Sequence, residues 1–122
     1  MKPTLALRIA AIMGFLAVAL GAFGAHGLKA TFLENGQGHT WDTAAHYHLV
    51  HAVVLLILAL RPSVARLPFW LFTAGIVIFS GSLYLLAGTT TLWLGAITPI
   101  GGVCLLAGWL ALAFCPGSSA AL

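Results

Sequence analysis

Four long apolar segments follow one another along the chain and are separated by short polar stretches. They run from about 5 to 26, 41 to 60, 68 to 87 and 92 to 114. At about 1.5 Å per residue, a helix over 41–60 extends about 30 Å, the thickness of the bilayer's hydrocarbon core. The pattern therefore predicts an all-α fold, a four-helix transmembrane bundle forming a single integral membrane domain over residues 1–122.

Particular residues indicate where these helices begin, bend and end. Thr40 is expected to cap the second helix, and Trp41 to lie in the aromatic belt at the membrane surface. Pro99 is expected to kink the fourth helix, because the carbonyl of Gly95 loses its backbone donor. Between the first two helices, residues 28–33 are expected to form a short interfacial helix that stops at Asn35 and Gly36.

The first segment carries small residues at a spacing close to four. These are Ala10, Gly14, Ala17, Gly21 and Ala25. Small side chains let helices in a bilayer approach closely and gain dispersion contacts. The first helix is therefore expected to pack against a neighbour along its whole length.

Charged residues are scarce and set the expected orientation. They make up 6% of the chain, against roughly 25% in soluble domains. The basic residues are Lys2, Arg8, Lys29, Arg61 and Arg66, and the acidic ones are Glu34 and Asp42. Such scattered basic residues are unlike a nucleic-acid interface, so no nucleic-acid partner is expected. The positive-inside rule predicts cytoplasmic termini in the cell inner membrane, with the polar loop 27–40 on the outer, periplasmic side.

The start of the second helix carries three of the five histidines. His48 and His51 share one helix face and are expected to point inward, whereas Asp42 and His46 are expected nearer the interface. All four helices place polar residues in the outer half of the predicted bundle, and the inner half is almost wholly apolar. The candidate ligand-binding or interhelical polar cluster comprises His26, Tyr47, His48, His51, Ser80, Ser82, Tyr84 and Thr98.

Two interpretations of this cluster remain open from the sequence. In the structural one, neutral His26 and His51 form hydrogen bonds to Ser80, Tyr84 or a free carbonyl near Pro99. Such bonds contribute about 0.6 kcal/mol each between membrane helices. In the other, ionisable groups inside the membrane mark a functional site.

The functional interpretation predicts a binding module in the outer half of the membrane. The ligand would be a proton, a transition metal, haem or a quinone-like lipid, bound chiefly through His26 and His51. A metal would require His26, His48 and His51 together. Cys104 and Cys115 offer no redox alternative: on one helix they are about 16 Å apart, beyond the roughly 7 Å disulfide limit.

Several short motifs occur together in the chain. They are Gly21-Ala-Phe-Gly-Ala-His26-Gly-Leu28, Tyr47-x-x-x-His51-Ala52, Phe79-Ser-Gly-Ser-Leu-Tyr84-Leu, and Thr98-Pro-Ile-Gly-Gly102 followed by Gly108-Trp109. With these motifs in this order, the chain resembles the domain of unknown function 423 family over essentially its whole length. The resemblance implies a small inner-membrane protein and brings no established reaction. His26 and His51 match positions of the family pattern, whereas His48 stands where glutamine is expected.

Small size and a single polar cluster favour a structural or accessory role in a membrane complex. An enzyme is less favoured, because His51 and Tyr84 offer acid–base groups without a nucleophile, base and orienting residue in one set. The expected partners are the lipid bilayer and a second copy of the chain or another membrane protein.

Overall fold

The computed structural model describes residues 1–114 of the chain. This range is helical and contains no strand, and it includes four helices long and apolar enough to cross a membrane. These four spans are Pro3–His26, Gly38–Ala59, Arg66–Thr89 and Leu92–Phe114. The predicted all-α, four-span architecture is confirmed. Cys115 lies outside the described residues.

The first two spans form a hairpin with a short helix at its turn. Helix α1 is Pro3–His26, α2 is Lys29–Asn35 and α3 is Gly38–Ala59. Gly36 caps the end of α2, and its φ of 71° is left-handed and suits a residue without a side chain. Asn35 then ties the turn to the third span, since its Nδ2 donates to the Ala87 carbonyl at 3.1 Å.

The start of α3 differs from the expectation in two respects. The helix begins at Gly38, so Thr40 is not its N-cap; the Thr40 hydroxyl donates to the Gln37 Oε1 at 2.8 Å. Trp41 is 5% exposed, and its Nε1 donates to the Leu20 carbonyl of α1 at 2.8 Å. Trp41 therefore packs inside the hairpin, and its placement in the aromatic belt was wrong.

The third span is one continuous helix with a π-helical turn in its middle. It comprises α4 (Arg66–Gly75), a π-helical turn (Ile76–Ser80) and α5 (Gly81–Thr89). The sequence had not predicted the π turn. Such turns are rare and are frequently found at functional sites, and this one includes Ser80, one of the candidate polar residues.

The fourth span is divided into two helices rather than kinked. A 3₁₀ turn, Leu92–Ala96, precedes α6, Thr98–Phe114. Pro99 lies in the first turn of α6, where its missing N–H would have had no partner within the helix. The expected kink at Pro99 is therefore replaced by a new helix start.

Helix α3 presents one continuous buried stripe to its neighbours. The stripe consists of Trp41, Ala44, His48, His51, Ala52, Leu55, Leu58 and Ala59. Its alternating spacing of three and four residues is typical of helices that pack at a shallow angle. The two histidines of the stripe, His48 and His51, lie near the middle of α3. Beyond them the stripe is apolar and joins a core that includes Phe69, Phe72 and Leu105. The end of α3 is therefore apolar, as expected for the inner half of the bundle.

The small-residue face of α1 is confirmed in part. Ala10 and Ala17 are buried as expected, with Ala6 and Gly24 in the same row, but Ala25 is exposed. A strict spacing of four advances about 40° around the helix at each step, because a full turn takes 3.6 residues. The row of residues that faces α3 therefore includes Gly24 and not Ala25.

Candidate functional site

Polar side chains of the second and third spans meet across their interface. His48 is 3% exposed, and its Nδ1 shares a 2.9 Å hydrogen bond with the Tyr84 hydroxyl. One turn earlier on α3, the Ala44 carbonyl accepts a 2.8 Å bond from the Ser80 hydroxyl. Both bonds join the second and third spans by pairing buried or partly buried polar groups, which are costly to leave without a partner.

His51 is held by two hydrogen bonds that define its protonation state. Its Nδ1 lies 2.7 Å from the Tyr47 carbonyl, and its Nε2 lies 3.1 Å from the Trp109 Nε1. A carbonyl only accepts and an indole N–H only donates. His51 must therefore carry its proton on Nδ1 and be neutral. The inward orientation expected for both His48 and His51 is confirmed by their burial.

Ser82 and Thr98 connect the third and fourth spans. Their hydroxyl oxygens are 2.6 Å apart. Each hydroxyl also has a carbonyl within reach, Phe79 at 3.0 Å for Ser82 and Leu94 at 3.3 Å for Thr98. These contacts, with those of His48, His51 and Ser80, form what we call the polar layer: the buried hydrogen-bonded groups of the second, third and fourth spans.

Two candidate residues lie outside the polar layer. His26 is exposed at the end of α1. Tyr47 is 43% exposed, and its ring stacks on His51 with 6.2 Å between ring centroids. His26 therefore forms no bond to Ser80 or Tyr84. The cross-helix partner of His51 is Trp109, which the sequence analysis had assigned no such role.

The three histidines considered for a metal are not assembled into one site. Among residues 1–114, no group of three or more His, Cys, Asp or Glu side chains is arranged to hold a metal ion. Both ring nitrogens of His51 are occupied by protein groups, so a metal would have to displace Trp109 or the Tyr47 carbonyl. His26 is exposed at the far end of α1, while His48 is enclosed between helices.

One nitrogen of the polar layer lacks a hydrogen-bond partner. This is the buried His48 Nε2. Within residues 1–114 it is the only buried side-chain nitrogen or oxygen atom that has no hydrogen-bond partner. The backbone of Met13 on α1 faces it without reaching hydrogen-bond geometry. A narrow apolar crevice of about 200 Å³, lined by Met13, Leu16, His48 and Tyr84 among others, separates α1 from the third span here.

A second, larger groove lies between α3 and α6. Its volume is about 350 Å³, within the range of small-ligand pockets, roughly 300–1,000 Å³. It is lined mostly by apolar groups: Tyr47, His51, Phe79, Pro99, Gly102, Val103, Leu105, Leu106 and Trp109. The groove is open at the side of the bundle, so an apolar molecule in the membrane could enter it without crossing a polar surface.

Trp41 and Trp109 contribute polar atoms that sequence reasoning had missed. Trp41 was expected at the membrane surface, where tryptophans in membrane proteins are enriched, and Trp109 was given no bonding partner. Each donates its indole N–H inside the protein instead, to Leu20 and His51 respectively. Trp109 is 58 residues from His51 in the chain, so no local spacing could have indicated the pair.

The hydrogen bonds of His51 lead to a spectroscopic prediction. In ¹⁵N-histidine-labelled protein, His51 is expected to be neutral, with a protonated Nδ1 and an unprotonated Nε2. Trp109→Phe should shift the Nε2 resonance, because its donor is lost, and lower the free energy of unfolding by about 0.6 kcal/mol. Exposed His46 is the internal control and should not shift. A doubly protonated His51, or a proton on Nε2, would contradict the assigned bonds.

Four apolar spans and a buried, largely self-satisfied polar layer define a small multi-pass integral membrane protein. The model of the family described as "Protein of unknown function (DUF423)" matches residues 20–102. The chain belongs to this family. The resemblance inferred from the motifs is thereby confirmed.

Curated relatives from several bacteria match over most of their length. The UPF0382 membrane protein YwdK of Bacillus subtilis is 44% identical over 109 residues, which cover 84% of this chain and 87% of YwdK. A UPF0382 membrane protein of Haemophilus influenzae is 41% identical, covering 88% and 90%. The UPF0382 inner membrane protein YgdD of Escherichia coli is 43% identical, covering 84% and 82%. No solved structure is significantly similar to the chain.

Proposed function

We propose that the protein is a structural or accessory component of the inner membrane that supports a membrane complex by lateral contact. The observation that carries this proposal is the internal satisfaction of the polar layer. Ser80, Ser82, Tyr84 and Thr98 each bond to another part of the same chain, and His51 has both nitrogens occupied. Groups committed to holding helices together are poorly suited to catalysis, which needs a reacting atom within reach.

The orientation proposed for the chain follows from its charges. Lys2, Arg8, Arg61 and Arg66 lie at the end of the bundle that holds the N-terminus and the turn between the second and third spans. The opposite end carries Lys29 together with the acidic residues. Because basic residues are retained on the cytoplasmic side, the N-terminal end is proposed to face the cytoplasm and the turn containing α2 the periplasm.

The groove between α3 and α6 is the proposed contact surface. It exposes aromatic and aliphatic side chains, with Trp109 46% and Val103 63% exposed, beside the exposed hydroxyl-bearing ring of Tyr47. In lipid, helices associate through packing and a few hydrogen bonds, so a groove beside two aromatic rings offers an incoming helix contacts that a smooth face lacks.

A second candidate function is the binding of a quinone-like lipid in the same groove. It is favoured by the aromatic lining: the ring of Phe79 lies 5.0 Å from that of Tyr47, and His51 and Trp109 continue the wall. A flat head group could stack there and accept a hydrogen bond from Tyr47. In this version Tyr47 takes the role that the sequence analysis gave to His51, since both nitrogens of His51 are occupied.

Photocrosslinking in native membranes distinguishes the two candidates. With p-benzoylphenylalanine in place of Val103, an accessory protein is expected to give a discrete protein adduct. A bound lipid is expected to give an adduct heavier by one small hydrophobic molecule. The matched control is p-benzoylphenylalanine in place of Phe15, which is 72% exposed on α1 and does not line the groove. Indistinguishable adducts with bulk phospholipid at both positions would contradict both functions.

A further inference from the structure

A cavity at the turn of the first hairpin carries two opposite charges and lies apart from the polar layer. Its volume is about 320 Å³, and its wall comes from the end of α1, from α2 and from the start of α3. Lys29 and Asp42 both line it. Within residues 1–114, no ion pair or hydrogen bond joins these two side chains, so the cavity presents a cation and an anion that do not neutralise each other.

The rest of the cavity wall is apolar. Phe32 and Leu33 of α2 line it beside the two charges, and Leu33 is 80% exposed. An exposed leucine on a short helix between two membrane spans favours contact with lipid rather than with water. The cavity therefore combines an apolar wall with an ammonium and a carboxylate at one end of the bundle.

We propose that this cavity binds the head group of a zwitterionic phospholipid. The Lys29 ammonium would pair with the lipid phosphate and the Asp42 carboxylate with the lipid ammonium, while Phe32 and Leu33 contact the glycerol and the upper acyl chain. The proposal rests on charge complementarity: a molecule with one anionic and one cationic group satisfies both side chains at once. An anionic lipid would satisfy Lys29 alone and leave Asp42 without a partner. The inference is independent of the function proposed above.

The test uses the full chain in detergent micelles and titration calorimetry with two short-chain lipids. These are dihexanoyl phosphatidylethanolamine, which carries both charges, and dihexanoyl phosphatidylglycerol, which carries the phosphate alone. Asp42→Asn is expected to weaken phosphatidylethanolamine binding about two- to five-fold, as for the loss of one exposed ion pair, and to leave phosphatidylglycerol binding unchanged. Lys29→Gln is expected to weaken the binding of both lipids by a similar factor.

Glu34→Gln is the matched control, because Glu34 is an exposed carboxylate of α2 that does not line the cavity. It should change neither affinity. Unchanged phosphatidylglycerol binding by Asp42→Asn shows that the variant is folded. The proposal is overturned if Asp42→Asn leaves phosphatidylethanolamine binding unaltered, or if Glu34→Gln weakens it equally. Equal binding of soluble O-phosphoethanolamine would overturn the assignment to a lipid.

Discussion

Replacing Trp41 by alanine is expected to lower the free energy of unfolding by about 3 kcal/mol, the lower end of the usual range for Trp→Ala at a buried site. The indole ring lies between α1, α2 and the third span, with ring centroids 6.5 Å from Phe23, 5.6 Å from Phe32 and 4.7 Å from Tyr84. Its removal leaves a void where three elements meet. The expected loss of free energy is at the lower end of the range because, in lipid, the substitution removes mainly dispersion contacts between the helices.

Reversible unfolding in mixed micelles, with sodium dodecyl sulfate as denaturant and circular dichroism as readout, measures this loss. Trp93→Ala is the control, since Trp93 is 67% exposed, and should change the free energy by less than about 0.5 kcal/mol. Trp41→Phe keeps most of the ring but removes the bond to Leu20, and should cost about 1 kcal/mol. Equal losses for Trp41→Ala and Trp93→Ala would show that Trp41 is not part of the core.

Gly101→Ala is expected to lower the free energy of unfolding by about 1–3 kcal/mol, the usual cost of overpacking. A Cβ at this position would collide with the backbone nitrogen of Phe79 and lie 2.7 Å from its Cα. Phe79 belongs to the π-helical turn, whose backbone rests directly on α6. Because the clash is with backbone, no rotamer change can relieve it, and the two spans must move apart.

The neighbouring glycine provides a closely matched control. A Cβ at Gly102 would lie 3.8 Å from the ring of Phe79, an ordinary van der Waals distance. Gly102→Ala should therefore gain the higher helix propensity of alanine, about 0.5–1 kcal/mol. The same denaturant titration serves for both variants. Equal effects at 101 and 102 would contradict the close approach of the π turn to α6.

The membrane spans were the most predictable part of the fold. All four apolar segments are helices, and the short helix before α3 is present. The helix ends were less predictable, because Thr40 does not cap α3 and Pro99 does not kink α6. An N-cap contributes about 1 kcal/mol, and a proline inside a helix costs about 3 kcal/mol. The packing of Trp41 against Gly24 and of the π turn against Gly101 outweighs these local preferences.

For the candidate site, the inward face of α3 was predictable, and the pairing of its side chains was not. The three-residue spacing of His48 and His51 places them on one face in any helix. Their partners, Tyr84 and Trp109, depend on how far the third and fourth spans rotate and slide against α3. In lipid, no difference in hydrophobicity between neighbouring faces guides that choice.

The sequence by itself determined that the chain has four membrane spans. The physical reason is that the bilayer sets the length of each span and requires it to satisfy its own backbone. Tertiary structure alone decided which side chains bond, that His51 is a neutral Nδ1–H tautomer, and that Lys29 and Asp42 share a cavity. These features depend on contacts of a few ångströms between residues far apart in the chain, which only the packed helices bring together.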